Sequence, residues 1–245
     1  MATKRGPGAP TPDPWRYVLI GLGGIGGRVL RELVPLLHAR GARATVLAVD
    51  GDTFEERNRD RQLFGRPGRK AEVLVEELAE IYGDRVDLIP VARYVTGRTV
   101  AEVIGERSVV FCQPDNNATR AVVARHCTRL RDVLLLTGGN DGVENGKAGT
   151  YGNVVVYVRR AGRDRTNPPT RYHPELSHPK DKLPTAVGCA AAAAAGAPQL
   201  GITNLAVTTA LLAAFHAWRA GTLDYEELYL DVALGRMTPV RREVA

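Results

Sequence analysis

The chain has 245 residues, 44% of them hydrophobic and 24% charged, with 26 Gly, 15 Pro, 3 Cys and a formal charge of +6. These values exclude a collagen, a disordered acidic segment and a disulfide scaffold, and the length suits one large α/β domain or two small ones. The positive charge comes from arginines interspersed with acidic residues, with no basic stripe carrying interleaved aromatics, so no nucleic-acid partner is expected.

Residues 1–14 are rich in Gly and Pro, lack the apolar run of a secretory signal and are expected to form a flexible tail. Trp15–Ile20 is a β-rich run ending directly in GLGGIGG, and the apolar positions of RVLRELVPLLHARG recur at helical spacing up to Gly41. Ala44–Val49 reads as a second buried strand closing at Asp50. A βαβ unit and a largely parallel sheet follow. The alternation continues with a helix over Ala71–Ile81, a strand near Asp87–Val91, a helix near Val100–Gly105 and a strand at Ser108–Cys112. A helix through Ala121–Leu130 and a strand at Val133–Thr137 come next, and there the alternation stops. Tyr151–Arg159 predicts a strand of an antiparallel pair, residues 161–188, with five Pro, an irregular connection, 202–220 a helix, and Tyr229–Val232 a β-rich tail. Leu183–Trp218 contains no Asp, Glu, Lys or Arg, but Pro184, Gly196, Pro198, Gln199, Gly201 and Asn204 interrupt it. A buried helix, and no membrane partner, is expected there. The expected fold class is α/β and Rossmann-like: a largely parallel sheet flanked by helices, with an antiparallel extension in the C-terminal half.

Gly21, Gly23 and Gly26 satisfy GxGxxG between a strand and a helix. Glycines let the backbone approach phosphate, the helix N-terminus supplies oriented N–H donors, and Asp50 is placed to accept ribose hydroxyls. An adenine nucleotide is implied, with NAD and ATP equally open at this point. Cys112, Cys127 and Cys189 are odd in number and widely spaced, so they build neither a disulfide framework nor a CxxC zinc site, and a reducing cytoplasm fits.

Further on the residues cease to look like those of a dehydrogenase. GxGGxG at Gly21, Gly23, Gly24 and Gly26, DxD with NxxRQ at Asp50, Asp52, Asn58, Arg61 and Gln62, then Lys70, then DNxxxR at Asp115, Asn116 and Arg120 occur in that order. The ordered set resembles the ubiquitin-activating (E1-like) enzymes, a family that includes the thiamine- and molybdopterin-pathway adenylyltransferases, and covers roughly Trp15–Gly221. The resemblance implies a single adenylation domain over residues 15–245 that uses ATP and Mg²⁺ to adenylylate a carboxylate. Arg61 and Lys70 would place positive charge on the phosphates, Asn58 and Gln62 neutral hydrogen bonds, and Asp115 an oxygen ligand for Mg²⁺. Asp115 also reads as a helix N-cap.

The implied partner is a small ubiquitin-like or sulfur-carrier protein ending in Gly-Gly, and the implied assembly a homodimer. With no CxxC pair the structural zinc of many members is not expected, and the loop from Arg61 to Lys70 is short for the family. Cys189 resembles the crossover position where some members carry a reactive cysteine, although its alanine-rich setting also suits inert core. His173 and His178 lack a second ligand cluster. Three alternatives stand beside this reading: adenylylation of a peptide or small acid for amide formation, an NAD(P)-dependent oxidoreductase, and a non-catalytic nucleotide-binding scaffold.

Overall fold

The computed structural model describes residues 12–143, 146, 148–186 and 199–244. The chain opens with strand β1 (Pro12–Ile20), helix α1 (Gly26–Ala39) and strand β2 (Arg43–Val49), the βαβ unit expected around the glycine turn. There follow β3 (Thr53–Phe54), β4 (Gly68–Arg69), α2 (Lys70–Tyr82), β5 (Val86–Val91), α3 (Val100–Val103), β6 (Ser108–Cys112), α4 (Asn117–Cys127) and β7 (Val133–Asn140). The second half holds β8 (Tyr151–Arg160), β9 (Arg163–Asp164), α5 (Pro174–Ser177), α6 (Gly201–Ala220), β10 (Glu227–Asp231) and β11 (Arg236–Val240).

The main sheet runs β11-β10-β8-β7-β6-β1-β2-β5, with β9 paired to β8. β7, β6, β1, β2 and β5 are mutually parallel, whereas β8, β10 and β11 join antiparallel. Successive residues of β1 serve opposite faces. Tyr17 and Leu19 enter a core with α1, α2 and α6, while Val18 and Ile20 enter a second core with α3 and α4. Burial on both faces is why β1, β2, β6 and β7 appear in the sequence as largely apolar runs, whereas the edge strand β5 is partly exposed.

Several elements differ from expectation: β7 runs on to Asn140, α4 stops at Cys127 and β10 spans Glu227–Asp231, and four further differences follow. β1 starts at Pro12, inside the supposed tail, because Asp13 is a structural residue: its carboxylate accepts the Trp15 N–H (3.0 Å) and the Tyr17 hydroxyl (2.7 Å). α4 starts at Asn117, well before Ala121, because the Asn116 side chain caps it by accepting the Thr119 N–H at 2.8 Å. A polar first turn shows no apolar period. α3 is a single turn ending at Val103. The strand β11 was not expected, since an edge strand carrying Pro239 and mostly exposed residues lacks the alternation that marks a buried one. The connection after β8 is irregular as expected, but it contains β9, α5 and single 3₁₀ turns at Pro169–Arg171 and Pro184–Ala186.

Helix α6 is apolar and long enough to cross a membrane by length and composition alone. Here Val207, Leu211, Ala214 and Phe215 pack into the first core, leaving Ile202 and Leu205 exposed on the other side.

Candidate active site

β1 lies between β2 and β6, and the helices that follow β1 and β6 pack on opposite faces. The C-terminal ends of these two strands therefore open a crevice where the strand order reverses, the usual ligand position of such sheets. The glycine turn occupies one lip. Gly21 has φ +82°, and a Cβ there would press on Pro114 N and Gln113 C at 2.7 and 2.8 Å; a Cβ on Gly26 would overlap the Gly21 carbonyl oxygen. The fold itself thus demands these two glycines. Gly23 is different: its φ lies outside the left-handed region and, among the described residues, a Cβ would meet only Gln62 Nε2, at 3.8 Å.

Asp50, buried at the end of β2, ties two loops together. Its Oδ2 accepts the Leu22 N–H at 2.6 Å and its Oδ1 the Asp52 N–H at 2.7 Å. Burial pushes the Asp50 carboxyl up, against the opposing pull of Lys70. The Lys70 ammonium, also buried, lies 3.0 Å from Asp52 Oδ2. Burial alone would pull Lys70 down, but Asp50 and Asp52 outweigh it and hold Lys70 above its ordinary value. At Asp52, burial is outweighed by Lys70 and by the Tyr94 hydroxyl, which donates to it, so its carboxyl titrates below the usual range. The pairing of β3 with β4 brings Lys70 here, despite the short loop before it: the Lys70 N–H donates to Asp52 O at 3.0 Å.

The Asn58–Gln62 segment covers the glycine turn. Arg61 Nη2 donates to Asn58 Oδ1 at 2.7 Å, and the Arg61 carbonyl lies 3.1 Å from the point where a Cβ on Gly24 would stand. Opposite, Asp115 is exposed at the end of β6, and Asn116, not Asp115, caps α4. Arg120 braces this lip from behind, donating from Nε to Pro114 O (2.9 Å) and from Nη2 to Gly138 O (3.0 Å). Asp181, from the long connection, accepts the Asn117 and Ala118 N–H groups at 2.6 and 2.8 Å and so fastens that connection to the first turn of α4.

The crevice therefore gathers Gly21, Gly23, Gly24, Gly26, Asp50, Asp52, Asn58, Arg61, Gln62 and Lys70 on one side, and Asp115 and Asn116 on the other. Cys189 lies outside the described residues. Cys112 and Cys127 are buried, with burial pushing the Cys112 thiol up to about 12 and the Cys127 thiol higher, so neither is a nucleophile. His173 is held by Glu175 and Glu227. Sequence reasoning passed over Tyr94, Gln113 and Asn204. Asn204 carried a signal: Asn204 and Thr208 are polar residues four apart on one face of an apolar helix, and that face is buried.

A glycine turn at the switch point of a parallel sheet, a buried aspartate behind it and an Asn-Arg-Gln segment over it define an E1-like α/β domain. The sequence matches the ThiF family over residues 14–226, and the chain belongs to that family. No curated protein matches it. In fold it is similar to E. coli MccB solved with ATP, at 15% identity and a TM-score of 0.66, over 95% of this chain and 65% of that one. It is similarly like the microcin C7 biosynthetic enzyme MccB in complex with N-formylated MccA (15%, TM-score 0.66, 93% and 64%) and selenomethionine PaaA (15%, TM-score 0.62, 93% and 64%). The chain thus spans slightly less than two thirds of the length of these proteins, and at such identities the likeness is one of fold.

Proposed function

We propose that the protein adenylylates a carboxylate at the expense of ATP. The observation that carries this reading is the cover of Asn58, Arg61 and Gln62 folded over Gly23 and Gly24 beside the buried Lys70, a set of cations and amides that a dehydrogenase turn has no use for. Gly23, with space where a side chain would stand, leaves room for a phosphate against the main chain. A carboxylate oxygen attacks the α-phosphorus, the new P–O bond forms, and the bond to the bridging oxygen breaks as pyrophosphate departs. Arg61 and Lys70 stabilise charge on the phosphate oxygens, and Asp50 keeps the glycine turn and the Asp52 loop in register around the ribose.

Mg²⁺ fits the opposite lip. Among the described residues no group of three or more His, Cys, Asp or Glu is arranged around a metal, yet Mg²⁺ on a nucleotide commonly takes one or two carboxylates, phosphate oxygens and water. Exposed Asp115 supplies one such ligand, and the ion would neutralise the departing pyrophosphate.

The acceptor in this reading is the C-terminal carboxylate of a polypeptide: a small ubiquitin-like or sulfur-carrier protein ending in Gly-Gly, or a short peptide. The second is favoured by the likeness to MccB, which is solved together with MccA. Exposed Ile202 and Leu205, on a helix whose charge is confined to Arg219 in its last turn, support a homodimer, since apolar residues grouped at a surface mark association sites. A light-scattering mass of one 26.5 kDa chain at micromolar concentration would remove that part. ATP–pyrophosphate exchange with carrier proteins and with peptides tests the function. Exchange with a polypeptide acceptor is expected, and tight nicotinamide binding without exchange would overturn it.

A further inference from the structure

Asn204, on the inward face of α6, is completely buried, and among the described residues neither its Oδ1 nor its Nδ2 has a hydrogen-bond partner. An unpaired carboxamide in a protein interior is costly, and an apolar side chain of similar size would avoid the cost. Such a group in a native fold demands an account.

Its position supplies one. A Cβ placed on Gly24 would overlap Asn204 Nδ2, so the carboxamide lies directly against the main chain of the glycine turn, across from the Arg61 carbonyl. One helical turn further, Thr208 Oγ1 donates to Asn204 O at 2.8 Å and faces the Ile25 carbonyl at 3.5 Å. Gly201, at the start of α6, lies 3.7 Å from Asp60 O, measured from where its Cβ would stand. Helix α6 therefore touches both the glycine turn and the segment that covers it. Two more buried carboxamide oxygens, Gln62 Oε1 and Gln113 Oε1, have no partner among the described residues and border the same turn.

We infer that Asn204 is a positioning residue for the nucleotide-bound glycine turn. Phosphates seated on the Gly23 and Gly24 main chain reorient those peptides, and Asn204 then finds in them the donor and the acceptor it lacks among the described residues. The group that is unsatisfied before binding is satisfied after it, and this difference favours the bound conformation. The inference rests on ATP as the ligand proposed above.

Asn204→Leu separates this role from a structural one, because it removes both polar atoms at nearly constant volume. The expected result is a free protein with a melting temperature equal to or above wild type, whose affinity for Mg-ATP, measured calorimetrically, is weaker by about tenfold. Stability and affinity thus move in opposite directions, and exchange at saturating ATP is largely retained. Asn204→Ala, which cannot overpack the turn, serves if the leucine variant does not fold, and is expected to show the same weakening. Wild-type affinity in either folded variant would overturn the inference and leave the nucleotide reading intact. A loss of stability in the leucine variant with affinity unchanged per folded molecule would make Asn204 structural and overturn it equally. A folded wild type that fails to bind ATP would overturn both.

Discussion

Asp50 Oδ2 accepts the main-chain N–H of Leu22 across 2.6 Å, joining the end of β2 to the middle of the glycine turn. Through this bond the turn, the Asp52 loop and Lys70 become one unit, and its parts can be tested separately.

The glycines divide by what constrains them. Gly26→Ala sets a side-chain carbon against the Gly21 carbonyl and is expected to cost about 3 kcal/mol or more. Gly23→Ala meets no atom of the described residues closer than 3.8 Å and should leave stability within about 0.5 kcal/mol of wild type. Its ATP affinity should nevertheless fall by about tenfold or more, because the methyl group stands where the phosphates approach. Thermal melts with and without Mg-ATP check both. A Gly23→Ala protein stabilised by ATP as much as wild type would show that the open face of Gly23 is not a ligand surface.

Lys70→Met leaves Asp50 buried without its cation. Asp52 is half exposed, so the expected loss is about 2 kcal/mol at neutral pH, less than for a fully buried pair. The sign of the pH dependence follows from Asp50. A carboxyl with a raised folded pKa costs nothing below the ordinary carboxylate range, where it is protonated folded or unfolded. Its cost grows as pH rises towards the folded value. Removing Lys70 raises that value further, so the stability gap between variant and wild type should widen from about pH 4 to pH 7. Denaturant titrations at both pH values test this, and a gap constant with pH would mean that Asp50 does not feel Lys70.

Much of this unit was legible in the sequence because its residues carry local signals: a glycine turn after a β-rich run, acidic residues where a strand ends, a rare lysine beginning a helix. What could not be read is what depends on distant segments meeting. Nothing around Leu22 announces that its amide is held from Asp50, and nothing around Asp181 announces that it holds the first turn of α4. The central strands β2 and β6 were located to within a residue because both of their faces are buried. β11 and the Pro12 start of β1 escaped because edge strands and proline-bearing ends show no such pattern.

Asp115→Ala should fold normally, since the side chain is exposed, while pyrophosphate exchange falls by about 10²–10³. Unchanged exchange would remove Asp115 from the site. Cys189→Ala is expected to retain exchange, because the thiol could act only after the acyl-adenylate exists. A thiol-sensitive adduct with the acceptor, present in wild type and absent in the variant, would assign Cys189 the following step.

The connection that carries Asp181 is also fixed by a titratable tie. His173 lies 2.6 Å from Glu227 Oε1 through Nε2 and 2.9 Å from Glu175 Oε1 through Nδ1. Arg242 closes the cluster, with Nη1 2.9 Å from Glu227 Oε1 and 3.1 Å from Glu226 Oε1, and Tyr229 bonds the same Glu227. Burial would lower His173, but Glu227 and Glu175 outweigh it and hold the imidazolium above its ordinary value. Burial would raise Glu227, but His173 and Arg242 bring it to about 2. The histidine contribution is therefore complete below its unfolded pKa of about 6.5 and is lost as pH rises through the higher folded value, whereas the glutamate contribution fails only as pH falls towards 2. Wild type should lose about 2 kcal/mol on crossing the His173 titration upward, the worth of a hydrogen bond between charged partners. His173→Gln, which can still bond Glu227 but cannot titrate, should show a nearly flat profile over the same range. Hydrogen exchange at the amides of Leu176 and His178, which bond back to His173 O and Pro174 O, should accelerate with pH beyond its intrinsic rate in wild type and not in the variant. Equal acceleration in both proteins would mean that the connection is held by Asp181 and packing, and that His173 is a bystander.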